Sequence, residues 1–119
     1  MILGSSGDAI IGLDATGHVQ VANPAAERAL DFAIIDSVGK PLSEVVMNVA
    51  LNAAVDNAIK TQQSQPVGFE VQLANDTYLF CNLSPIVDPT GGLAGWVAAM
   101  QDITRFKETE RMKSDRILP

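Results

Sequence analysis

The chain has one cysteine, one histidine, one tryptophan and one tyrosine among its 119 residues. Each shortage excludes something. Cys81 alone closes no intrachain disulfide and builds no thiolate metal cage, which fits a reducing compartment. With His18 the single imidazole and Cys81 the single thiol, neither a nucleophile with its base nor a metal-ligand set is readable. Basic residues are scarce too: up to Thr104, only Arg28, Lys40 and Lys60 face eleven acidic side chains, a net charge of −8. A phosphate backbone demands the opposite sign, so nucleic acid is a poor partner. No hydrophobic run approaches the roughly 20 residues of a membrane span. Met1 to Asp8 is also too short and too uncharged for a signal peptide. These absences predict a soluble, cytoplasmic chain that is not itself an enzyme.

Apolar residues make up 47% of the sequence, enough for one compact core at this length. Ala9 to Leu13 and Val19 to Ala22 are short apolar runs joined by Asp14-Ala15-Thr16-Gly17, which reads as a β-hairpin with glycine where positive φ is needed. Asn23-Pro24 places a capping side chain before a proline at the first helical position, and AAERAL continues the helix. Ser37 to Val46, with Gly39, Lys40-Pro41 and a Ser43 cap, reads as short helical turns. From Met47 to Gln63, Met47, Leu51, Ala54, Val55, Ala58 and Ile59 form one helical stripe. Three strand-like segments follow, Val67 to Ala74, Thr77 to Val87 and Leu93 to Gln101, linked by Asn75-Asp76 and by Asp88 to Gly92. Two strands, several helices and three strands predict an α+β domain whose antiparallel sheet carries its helices on one face. Asp102-Ile103-Thr104 then opens a charged exit helix with five basic and three acidic residues, a joint suited to passing a change onward. Ile103, Phe106, Glu110, Lys113 and Ile117 repeat at helical spacing, but two of the five are charged, so pairing of this helix depends on the domain before it.

Four stretches together resemble a PAS domain of the bacterial sensor-kinase type: GDAIIGLDATGHVQVAN, NPAAERAL with Asn23, SVGKPLSEV, and NLSPIVDPTGGLAGWVAAMQDIT. Asp31-Phe32 departs from the glycine-aromatic pair common at the end of the first helix, which bears on local loop geometry. The resemblance implies a PAS fold with a five-stranded antiparallel sheet of order 2-1-5-4-3. It implies a flank over 1–7, the PAS domain over 8–104 and a signalling linker helix over 105–119. The implied function is a sensory and dimerisation module of a two-component sensor histidine kinase, most of which lies outside this sequence. A structural dimer spacer without ligand and a small α+β enzyme with a ligand cavity are the rival readings.

Strand alternation in that register points Ile11, Leu13, Val71, Leu73, Leu79, Cys81, Leu83, Ala98 and Met100 at the helices, with Trp96 near the strand entrance. With Leu51, Val55 and Ile59 from the long helix they would line a small-molecule pocket. The small side chains Ala54, Ala58, Cys81 and Ala98 fit a cavity and a closely packed core equally well. Ile10, Tyr78, Phe80, Val97, Ala99 and Gln101 fall on the opposite face, where apolar surface fits a homodimer contact. Asp102 and Thr104, both able to cap the exit helix, are the coupling residues toward a downstream output domain. No cofactor is identifiable. The resemblance would place a haem histidine on the long helix, which has none, leaving only methionine ligation through Met47 or Met100. It would place a flavin-reactive cysteine in a helical motif, whereas Cys81 lies mid-strand. His18 reads as a solvent-exposed turn residue. Asp14 and Asp88 read as turn residues, and Asp56 and Glu70 as surface carboxylates. A strand rather than a helix follows Gly91-Gly92, which excludes a phosphate cradle.

Overall fold

A computed structural model describes residues 8–73 and 76–107. Strands β1 (Ala9–Asp14) and β2 (Val19–Ala22) form the first hairpin, and helix α1 (Pro24–Leu30) follows directly. Asn23 makes that junction rigid. Its Oδ1 accepts the N–H groups of Ala26 at 2.9 Å and of Ile10 at 3.0 Å, while its Nδ2 donates to the Asp8 carbonyl at 2.8 Å. One side chain therefore caps α1 and ties it to β1. At the other end Asp31 adopts φ 58°, ψ 62° and donates its N–H to the Glu27 carbonyl. Aspartate is among the few residues that tolerate this left-handed conformation, so it can end the helix at a position that glycine commonly fills.

A single 3-10 turn (Ile34–Asp36) leads to α2 (Leu42–Val45) and α3 (Val49–Thr61). Two expectations need correction here. Ser43 is not a cap; it lies inside α2, whose N-cap position is Pro41 and makes no side-chain bond. Met47 is not on the buried stripe, being 88% exposed and ahead of a helix that Asn48 starts by accepting the Leu51 N–H at 3.0 Å. An asparagine cap competes locally with helix, and here it overrides the apolar periodicity upstream. Leu51, Val55 and Ala58 are the residues that α3 buries.

Strands β3 (Val67–Leu73), β4 (Thr77–Val87) and β5 (Leu93–Asp102) complete an antiparallel sheet of order β2-β1-β5-β4-β3. The expected topology is therefore present. Ala74, the expected last residue of β3, and Asn75 of the β3–β4 link lie outside the described residues, as do residues 1–7 and 108–119. The core is one cluster on the helix-facing side of the sheet, with Ile11, Leu51, Leu83, Trp96 and Met100 among its largest members. Trp96 is 1% exposed and its Nε1 donates to the Gln63 carbonyl at 3.2 Å, which satisfies the one polar atom of a large apolar side chain.

Candidate functional site

β5 delivers its last residues to the start of β4. Asp102 pairs with Leu79, and the chain continues alongside β4 for two more residues. The Ile103 N–H donates to the Tyr78 carbonyl at 2.9 Å, and Thr104 Oγ1 accepts the Tyr78 N–H at 2.9 Å. Asp102 Oδ1 accepts the Thr104 N–H at 2.9 Å, and the Lys107 N–H donates to the Ile103 carbonyl, the first helical bond of the turn at 104–107. Asp102 thus takes the capping geometry expected of it. Thr104 does not. Its hydroxyl is committed to Tyr78, whose N–H would otherwise lack a partner, and a backbone donor left unpaired costs more than an unfilled cap. The joint is held a third way: Lys107 Nζ lies 3.4 Å from Glu70 Oε2 and 5.8 Å from the centroid of the Tyr78 ring. The exit turn is therefore bound to β4 through its backbone and to β3 through a charge. Ile103 is half-buried and Phe106 exposed; Glu110, Lys113 and Ile117 of the helical spacing lie outside the described residues.

The twelve positions expected to line a pocket all belong to one core or pack against it, and three of them line a cavity at its edge. Ile11, Leu13, Leu51, Val55, Val71, Cys81, Leu83 and Ala98 pack against each other at the sheet centre. Ile59 sits at the edge of that core. Leu73, Leu79 and Met100 instead line a cavity of about 590 Å³ at the far ends of the strands, beside the joint. Its apolar wall continues through Ala9, Leu30 and Val46, and its polar wall holds Arg28, Asp31, Asn48, Thr77 and Asp102. Apart from Asp102, sequence reasoning missed this polar set. The signal was faint: Asp31 was legible only as a departure at the end of the first helix, and Arg28 only as one of three basic residues before Thr104.

On the opposite face, Phe80 is 39% exposed, its ring lying over Gly68, and Gln101 is exposed with it. Ile10, Tyr78, Val97 and Ala99 are half-buried around them. The expected face is thus continuous across β1, β5 and β4.

The reactive side chains stay apart. Cys81 is fully buried in β4, and burial pushes its thiol up to about 12, so it remains protonated at neutral pH. His18 is half-exposed rather than fully solvent-exposed, with Nδ1 2.7 Å from Thr16 Oγ1. Ser37 is the sole buried polar side chain among the described residues, donating to the Ala33 carbonyl at 2.7 Å. Among those residues no group of three or more His, Cys, Asp or Glu is arranged to hold a metal ion, and no helix is long and apolar enough to cross a membrane.

A sheet of this order, with helices on one face and a capped exit joint, is the geometry the sequence resemblance implied, and a family model described as PAS fold matches residues 3–108. The chain belongs to the PAS fold family. Its relatives share the wider setting. The alginate biosynthesis sensor protein KinB of Pseudomonas aeruginosa is 30% identical over 120 residues, covering 98% of this PAS chain and 20% of KinB. The sensor protein kinase WalK of Staphylococcus epidermidis is 26% identical over 110 residues, covering 91% of the chain and 17% of WalK. The chain thus spans about a fifth of the length of these curated relatives. Among solved structures, the PAS domain of Bordetella pertussis BvgS superposes with a TM-score of 0.70 at 21% identity, covering 95% of this chain and 89% of that one. This chain is a PAS domain of the kind found in sensor histidine kinases.

Proposed function

We propose that the chain is the cytoplasmic sensory and dimerisation module of a longer sensor histidine kinase, acting on its output domain by shifting the exit helix between two arrangements. The observation that carries this reading is the joint at 102–104. Thr104 and Ile103 hold the start of the exit helix on Tyr78, so any displacement of β4 or β5 moves that helix directly. A ligand or partner biases the output only by the difference in its affinity for the two arrangements. The module itself is not catalytic, and the distance between His18 in its turn and Cys81 in the core supports that over the small-enzyme reading. It carries neither haem nor covalent flavin, since α3 has no histidine and Cys81 is a core thiol. The outer sheet face supports a homodimer, because a monomer leaves Phe80 and its apolar neighbours wet.

The test uses the kinase that carries this domain. Thr104→Val keeps the shape and leaves the Tyr78 N–H unpaired, which costs about 1–3 kcal/mol, modest for the fold but enough to move a two-state population roughly fivefold or more. Basal or stimulated autophosphorylation should change while the domain melts within a few degrees of wild type. An unchanged response would reduce the joint to a helix start. Phe80→Glu and Val97→Glu should weaken association in sedimentation experiments; a constant oligomeric state in both would move the dimer contact elsewhere. A structural spacer is the second reading, favoured by the complete burial of Ile11, Leu51, Cys81, Leu83 and Ala98 in one apolar cluster.

A further inference from the structure

The cavity beside the joint is not at the sheet centre, and its composition points to a chemical class of ligand. We propose that it binds an amphipathic organic cation, a primary ammonium group on an apolar body of roughly ten heavy atoms. A volume of about 590 Å³ is within the size range of small-molecule sites. Leu30, Val46, Leu79 and Met100 are buried and supply an apolar floor. The charges are all at the rim, where Arg28, Asp31 and Asp102 are exposed.

These rim groups are unusually uncommitted. The Asp31 carboxylate makes no hydrogen bond or ion pair with the described residues, and Asp102 uses only Oδ1, on the Thr104 N–H. Arg28 has no ion pair among the described residues either, although it shares the rim with both carboxylates. The Asn48 side chain is spent at both ends, on the Leu51 N–H and the Gln72 carbonyl, so it does not compete. A free anion entering this rim meets one opposite charge and two like charges. A free cation meets two opposite and one like. The surrounding field acts in the same direction, because the whole chain carries a net charge of −6, which raises the local concentration of cations at a concave site. The consequence for output rests on the sensory reading above; the binding itself does not. An ammonium drawn to the free oxygen of Asp102 sits one residue from Ile103 and two from Thr104, at the joint that holds the exit helix.

The experiment is an NMR titration of the 119-residue chain with three molecules of one shape: 2-phenylethylamine, 3-phenylpropionate and phenylalanine. The amine should bind more tightly than the acid, with shifts at the methyl groups of Leu30, Val46, Leu79 and Met100, and its binding should weaken as salt is added. Asp31→Asn and Asp102→Asn each remove a charge while leaving the backbone role intact, since asparagine tolerates the left-handed position and keeps an acceptor for Thr104. Each should weaken the amine about two- to fivefold, the range of exposed ion pairs. Arg28→Gln should do the reverse and tighten it. Phenylalanine distinguishes the rim from a merely acidic surface: it should bind as well as the amine in wild type and lose ground to it in Arg28→Gln. The proposal is overturned if the acid binds better, if Arg28→Gln weakens the amine, or if shifts appear at the sheet centre or nowhere. None of these outcomes depends on kinase activity, so the sensory reading survives or fails separately.

Discussion

The hairpin turns Asp14-Ala15-Thr16-Gly17-His18 and Asp88-Pro89-Thr90-Gly91-Gly92 have the same pattern and the same hydrogen bonds, yet one is packed against the core and the other is not. In the first, Asp14 Oδ1 accepts from Thr16 N–H, Thr16 Oγ1 and His18 N–H at 2.8–2.9 Å. In the second, Asp88 Oδ1 accepts from Thr90 N–H, Thr90 Oγ1 and Gly92 N–H at 2.7–3.0 Å. Gly17 and Gly91 take φ of 85° and 89°. The contrast begins beyond the turn. Gly17 is buried, its carbonyl accepts the Leu42 N–H at 3.1 Å, and a Cβ there would stand 2.7 Å from Ile59 Cδ1. His18 also bridges to Pro41, so Gly39-Lys40-Pro41-Leu42 is laced along β2 and the turn. A Cβ on Gly91 would meet nothing within 4 Å. A five-residue sequence sets a turn's shape, while its place in the stability of the domain comes from what the rest of the chain puts against it.

The largest effect that sharpens this contrast lies on β5. Gly95, at φ 155°, faces Asp14, and a Cβ there would lie only 2.0 Å from the Leu13 carbonyl oxygen, a backbone atom with no room to yield. Gly95→Ala should therefore destabilise the domain by about 3 kcal/mol or more, measured by urea unfolding. A midpoint equal to wild type would mean that the first turn does not press on β5.

Gly17→Ala and Gly91→Ala come next. Both carry the cost of a side chain at positive φ, about 1–2 kcal/mol. Only the first must also displace the tip of Ile59, adding about 1 kcal/mol or more. Equal losses in the two variants would break the comparison, because they would leave backbone strain as the whole effect.

The smallest effect is electrostatic. Partial burial pushes the Asp14 carboxyl up, but bonds from the His18 N–H and from Thr16 outweigh it and leave it below the usual value. For Asp88 the Thr90 hydroxyl is the leading cause of a net lowering, followed by the Gly92 N–H. A carboxyl lowered in the folded state contributes stability that is fully present above its unfolded value near 3.8 and is lost as pH falls through the folded value. Asp14→Asn and Asp88→Asn should each flatten part of that acid limb. Thr90→Val should raise Asp88 further than Thr16→Val raises Asp14, since the hydroxyl leads in one turn and the backbone in the other. Carboxyl titration by NMR would show the reverse order if the turns are not electrostatically distinct.

Much of this was legible in the sequence because it is local or strictly periodic. Asn23-Pro24 marked the start of α1, the Asp-x-Thr-Gly turns marked two hairpins, and alternation along β3, β4 and β5 assigned Val71, Cys81 and Ala98 inward and Phe80 outward. What was missed depends on distant partners. Met47 continued the apolar period of α3, yet the Asn48 cap left it outside. Thr104 had the chemistry of a cap and was claimed by Tyr78, 26 residues earlier in the sequence. The cavity drew only three of its lining residues from the expected set, because Arg28, Asp31, Asn48 and Thr77 come from element ends that no periodicity connects.

The sequence by itself determined the elements, the faces of the strands and the family, since side-chain period, capping and turn chemistry act over a few residues. Only the tertiary structure decided that one hairpin turn packs on the core while its twin stays on the surface, that Thr104 belongs to Tyr78, and that open volume lies beside the joint. Those outcomes depend on which side chains meet across the fold and on how closely they fit, and close packing is a property of the assembled core.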